Sequence, residues 1–308
     1  MINAIPWYIP VLLTVLIKDG VTSVFLKKVV VSTGRYERFF LQFFFAWIYA
    51  TLFWLISGNY GSTTFQLILP IMGIGLLNGI ATTFYWRALD ISLSKSHFFL
   101  FLDDVIAICL SLVILKEFQI LNLGLAIGIM MGLSSIISFA IHSMTKSVPV
   151  SEKVIRGSVK ESMLPVYIII HSIMHGGIMF LMKYTTTSSI PTSIFLVSWY
   201  SGSLTVAFFI LSLSKHTKFK NIFTKTNLKI MPIVSFLIIS ALGMLYWSYA
   251  RSPLSVVQPI FFISQMIIPT LIGVYYFKEG KSFDFKDKII FLIGAAGSIL
   301  VFLNYSAP

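Results

Sequence analysis

Asp103 and Asp104 stand side by side in the run LFLDDVIAI, within a stretch from Ser96 to Leu115 that offers no water-facing side. In water such a pair would mark a surface loop or the acid site of an enzyme. Held out of water, two acids suit cation recognition or proton coupling. Other polar groups lie in similarly apolar runs: Lys18 with Asp19, His171 with His175, and the amides Gln258 and Gln265. His171 and His175 are spaced i, i+4 and share a helix face with Tyr167, a spacing that can hold a transition metal when carboxylates stand opposite. On its own the short HxxxH motif reads as proton relay, substrate hydrogen bonding or interhelical bonding, so no metal and no cofactor is expected. A buried Lys18–Asp19 pair could equally fix helix packing and bind nothing.

Residues 103 and 104 point about 100° apart on a helix. His97, Asp104 and Ser111 share one stripe, so Asp104 is expected to look into a cavity. Asp103 is then expected to reach a neighbouring helix, toward Lys18. Asn78, Tyr85, Trp86, Trp199, Tyr200, Tyr246 and Trp247 could wall such a cavity and stack on an aromatic or cationic ligand. Aromatics make up 15% of the chain, however, and lipid-facing belts use the same residue types. Gly124, Gly128 and Gly132 recur every fourth residue, which reads as close helix packing or dimerisation.

The elements that must position these groups follow from composition. Only 11% of the 308 residues are charged and mean hydropathy is +0.89, against about 25% charged in soluble domains, which predicts an all-α integral membrane protein. The net charge of +12 is spread between apolar runs instead of forming a stripe, so nucleic acid is not expected as a partner. Cys109 is the single cysteine, which excludes an internal disulfide. The first apolar run, from Ile5 to Val31, is too long for a removable signal. About 20 apolar residues cross a bilayer, which places spans near 5–31, 38–57, 64–89, 96–115, 119–142, 163–184, 190–213, 229–250, 253–276 and 285–305. Pro259 and Pro269 are expected to kink or unwind the ninth. Lysines and arginines crowd the loops after odd-numbered spans, whereas those after even-numbered spans hold Lys116, Lys183 and Arg251. That bias puts odd loops in the cytoplasm and both termini outside.

A shift of 162 positions lays one half of the chain on the other. Tyr85 and Ala88 fall on Trp247 and Ala250, Lys116-Glu117 on Lys278-Glu279, Gly132 on Gly294, and Asp103 on Gln265. The chain therefore divides into a first repeat (1–142), a polar linker (143–162) and a second repeat (163–308), all one membrane domain. Five spans per repeat is an odd number, so the two repeats must insert in opposite directions, as in secondary transporters whose site lies at the midplane. Five plus five helices, an aromatic-x-x-Ala closing the third helix of each half, and Glu117 and Glu279 after the fourth resemble the drug/metabolite transporter superfamily, in its EamA-like branch. The resemblance implies a cavity lined by helices 1–4 and 6–9, peripheral helices 5 and 10, and alternating access for a small metabolite. The fourth span lacks the proline often found in that family, and relatives commonly keep both termini in the cytoplasm.

Rival chemistries lack their residues. A DDxxD diphosphate site would need an acid at Ala107, and an acyltransferase His-x4-Asp fails because five residues separate His97 from Asp103. No HExxH, GxSxG or glycine-rich phosphate loop is present, so no enzyme is expected. The expected function is secondary transport of a small polar or cationic metabolite, such as an amino acid or amine, across the cell membrane by a monomer or homodimer. A flippase or exporter of a lipid-linked or amphipathic substrate is the alternative on the same architecture.

Overall fold

The computed structural model describes residues 8–22, 34–59, 64–91, 101–145, 163–214, 222–272 and 285–304, with positions 6, 24, 25 and 29. Among them lie ten α-helices and no strand: α1 (Tyr8–Val15), α2 (Arg35–Ser57), α3 (Phe65–Ile91), α4 (Phe101–Ile114), α5 (Leu123–Thr145), α6 (Leu164–Thr186), α7 (Thr192–Leu213), α8 (Lys225–Arg251), α9 (Leu254–Leu271) and α10 (Phe285–Asn304). Their ends carry sequence punctuation. Asn122 Oδ1 accepts the Leu125 N–H at 2.8 Å at the start of α5, and the Thr224 hydroxyl caps α8 by accepting Asn227 N–H. Pro165 sits in the first turn of α6, where its missing N–H costs nothing, and Gly58 ends α2 at φ 67°.

Helices α2, α3, α6, α7 and α8 are long and apolar enough to cross a membrane. Their outward faces remain apolar: Ile56 is 83% exposed and Leu213 80%, and on the shorter helices Val113, Leu123 and Leu292 are also exposed. Such a belt suits lipid contact. The core lies between helices. α3 packs on α6 and α7, α8 on α1 and α2, α4 on α6 and α9, and α2 on α7. Gly75 and Gly202 allow the α3–α7 contact, since a Cβ at Gly75 would stand 2.0 Å from Trp199 O and one at Gly202 2.1 Å from Met72 O.

Several expectations change here. The first span is not one regular helix: α1 passes into a π-helical segment, Leu16–Thr22, that contains Lys18 and Asp19 and packs on α8 and α9. In the described part of the ninth span the chain stays helical through Pro259 and Pro269, as α9 to Leu271. The glycine stripe of α5 is used within the chain: α10 runs antiparallel against it, with Gly128 facing the Gly297 carbonyl and Val301, and the Ser135 hydroxyl donating to Ile290 O at 2.7 Å. Arg38, in the first turn of α2, is buried with its guanidinium 4.5 Å from the Trp86 ring centroid.

Candidate functional site

Helix α6 brings its two histidines to one face because they are one turn apart. Their rings stack with centroids 5.0 Å apart and planes at 22°, and Tyr85 of α3 stacks on His171 at 5.4 Å. His171 Nδ1 meets the Ala81 carbonyl at 2.9 Å. A carbonyl can only accept, so Nδ1 carries the proton, and in the neutral ring Nε2 keeps a lone pair. His175 Nδ1 meets Asp103 Oδ2 at 2.6 Å, and the second oxygen of Asp103 accepts the Asp104 N–H at 2.9 Å. The contact depends on Gly176. A Cβ there would lie 2.6 Å from the Asp103 carbonyl, so only glycine lets α6 approach α4 this closely. His175 lies eleven residues from either end of α6, about 16 Å along the axis each way, and so sits at mid-helix.

Asp104 turns to a different helix. Its Oδ1 accepts from Gln258 Nε2 of α9, and Gln258 Oε1 accepts from the Tyr249 hydroxyl of α8 at 2.5 Å. Both aspartates are buried, at 5% and 2% exposure, as are Gln258 and Tyr249. A charge in hydrocarbon costs at least about 2.5–3.5 kcal/mol, and hydrogen bonds from α6 and α9 offset part of that here. Lys18 on the π-helical segment acts electrostatically on both Asp103 and His171, but the group in contact with Asp103 is His175, not Lys18.

A second polar tier lies eight residues further along α6, about 12 Å away. Lys183 Nζ donates to Tyr249 O at 2.5 Å and Ser252 O at 2.8 Å, at the end of α8. Both oxygens of Glu117 accept backbone N–H groups at the start of α9, from Leu254 at 3.0 Å and Ser255 at 2.9 Å. A cation at a helix C-terminus and an anion at the next N-terminus each complement the helix dipole. Together they grip the α8–α9 joint.

The candidate residues thus fall into separate groups. Asp103, Asp104, His171, His175, Gln258 and Tyr85 come together, with Lys18 in electrostatic range. Trp86 is buried beside Arg38 and donates to Gln42 Oε1 at 3.2 Å. Asn78 donates to the Ser203 hydroxyl at 3.1 Å, tying α3 to α7. Trp199, Tyr200 and Tyr246 are buried packing residues of the helix core: Tyr246 stacks on Phe195 at 4.0 Å and donates to Ile190 O. Trp247 lies under the Arg251 guanidinium at 5.1 Å. The side chains of Asp19 and Gln265, and residues His97, Lys278 and Glu279, lie outside the described residues. Tyr249, Gly176, Glu117 and Lys183 were missed as site or joint residues. The only sequence signal among them was Glu117, through its repeat partner Glu279.

No family model and no curated protein matches the sequence. Solved structures share the fold. One described as "Crystal structure of protein" superposes with a TM-score of 0.66 over 96% of this chain and 96% of its own, at 11% identity. That likeness shows the fold alone.

Proposed function

We propose that the chain is a secondary transporter that moves a small polar or cationic metabolite across the cell membrane by alternating access. The observation that carries this reading is the division of the acid pair. Two adjacent carboxylates, buried at the centre of a membrane-type helix bundle, are each held by a different helix of the opposite half: Asp103 by α6 and Asp104 by α9. A purely structural pair needs no such division, whereas a site that opens alternately to two sides must be shared between halves that move against each other.

The ten helices are read as ten membrane spans in two inverted five-helix repeats, as in the drug/metabolite transporter superfamily. Packing supports this. Under exchange of each helix for the one five positions away, α3 on α7 corresponds to α8 on α2, α3 on α6 to α8 on α1, and α4 on α6 to α9 on α1. The 162-residue offset also turns the Gly128–Gly297 contact into the Ser135–Ile290 contact, and both occur. The lysine and arginine bias supports an orientation with both termini outside the cytoplasm.

Thermal unfolding of the purified chain against amino acids, polyamines, quaternary amines, nucleotide sugars and sugar phosphates tests the reading. A ligand at a hundred times its Kd adds about 2.7 kcal/mol to the folded state. One chemical class should stabilise the wild type and not Asp104→Asn, whose amide oxygen can still accept from Gln258. A folded wild type that responds only to lipid-linked compounds would move the reading to a flippase.

A further inference from the structure

The geometry points to a binding site for one divalent transition-metal ion at mid-helix, formed by His171 and His175 of α6 and Asp103 of α4. The histidine pair alone offers two ligands; Asp103, from another helix, supplies the third. One ligand atom from each of the three lies within 4.8 Å of the other two. Ligands about 2.0 Å from a tetrahedral ion stand about 3.3 Å apart, so side-chain movement of roughly an ångström closes the site on an ion.

Two of the three groups, His171 and Asp103, are held by outer hydrogen bonds, and the His175 ring, stacked on His171, turns to meet the ion. His171 donates Nδ1–H to the Ala81 carbonyl, the outer hydrogen bond that fixes the tautomer of a metal-binding histidine and leaves Nε2 to ligate. Tyr85 stacks on the same ring and restricts its rotation. His175 Nδ1 and Asp103 Oδ2 stand 2.6 Å apart, sharing the proton that an ion would replace. Asp103 is held in turn through Oδ1 by the Asp104 N–H.

Two imidazoles and one carboxylate select late first-row ions such as Zn2+ and Co2+ over Mg2+ and Ca2+, which take oxygen ligands. Three protein ligands leave the fourth position open, the arrangement of an exchanging site and not of a closed structural one. The inference concerns equilibrium binding and does not rest on the transport reading. A chain that binds Zn2+ and moves no metabolite keeps the site and loses that reading; a chain that moves a metabolite and binds no Zn2+ does the reverse.

The test uses the full chain, purified through a removable tag without histidines and held in nanodiscs. Zn2+ is titrated by calorimetry, and Co2+ by its visible d–d absorption. The expected result is one ion per chain and Co2+ bands that survive Cys109→Ser, which excludes the lone thiol. His171→Gln, His175→Gln and Asp103→Asn should each weaken binding at least tenfold. Folded wild type with no Co2+ bands overturns the inference, as does binding that folded His171→Gln and His175→Gln leave unchanged. Should those variants not fold, bands that persist in Cys109→Ser support the site and their absence from wild type overturns it.

Discussion

Gly176 and Gly177 are adjacent on α6, and alanine at the two positions should have opposite effects. At Gly176 a Cβ would stand 2.6 Å from the Asp103 carbonyl and 2.8 Å from Ile106 Cβ, whereas nothing lies within 4 Å of one at Gly177. Restoring a 3.4 Å contact pushes α6 from α4 by about 0.8 Å. The same displacement stretches the 2.6 Å bond between His175 and Asp103 to the edge of hydrogen-bond reach. Overpacking of this kind costs about 1–3 kcal/mol. Both variants gain about 0.5–1 kcal/mol from replacing a helical glycine with alanine. That gain cancels in the comparison, so Gly176→Ala should be less stable than Gly177→Ala by about 1–3 kcal/mol, with Gly177→Ala at or above wild type. Thermal unfolding followed by tryptophan fluorescence reads the difference. Equal melting temperatures, or a higher one for Gly176→Ala, would refute the claim that α6 and α4 touch at the aspartate.

Other substitutions probe the remaining links. Glu117→Gln retains one acceptor for the two N–H groups of Leu254 and Ser255, and should cost about 1–2 kcal/mol in a denaturation series, with Glu117→Ala costing more. Tyr249→Phe removes the donor to Gln258, costs about 1–2 kcal/mol, and should couple to Gln258→Leu in a double-mutant cycle. Gly128→Leu should lower stability through the α5–α10 contact, seen as a melting-temperature drop at every protein concentration, because that stripe packs within the chain.

The helices were legible because bilayer length imposes runs of apolar residues that few other constraints produce, and the acids stood out because carboxylates in such runs are costly. The histidines were legible from their i, i+4 spacing. Partners were not. Asp103 was expected to reach Lys18, yet which neighbour it meets is decided by Gly176, and a glycine in an apolar helix carries no sign of what it faces. Tyr249 is one of 13 tyrosines, and its burial on Gln258 follows from the α8–α9 joint, a tertiary feature. The same limit applies to Trp199, Tyr200 and Tyr246, which are buried in the helix core. Periodicity marks a face as buried without saying whether that face meets a cavity or another helix. The π-helical segment at Lys18 has no local sequence signature at all.

The central claim, that the divided acid pair forms the substrate site of a transporter, is tested most directly by flux. Proteoliposomes containing the wild-type chain or Asp104→Asn are given the labelled compound that most stabilises the wild type. Saturable uptake by the wild type, lost in a folded Asp104→Asn, is the predicted result. Uptake no greater than in empty liposomes, or equal uptake by the variant, would contradict it.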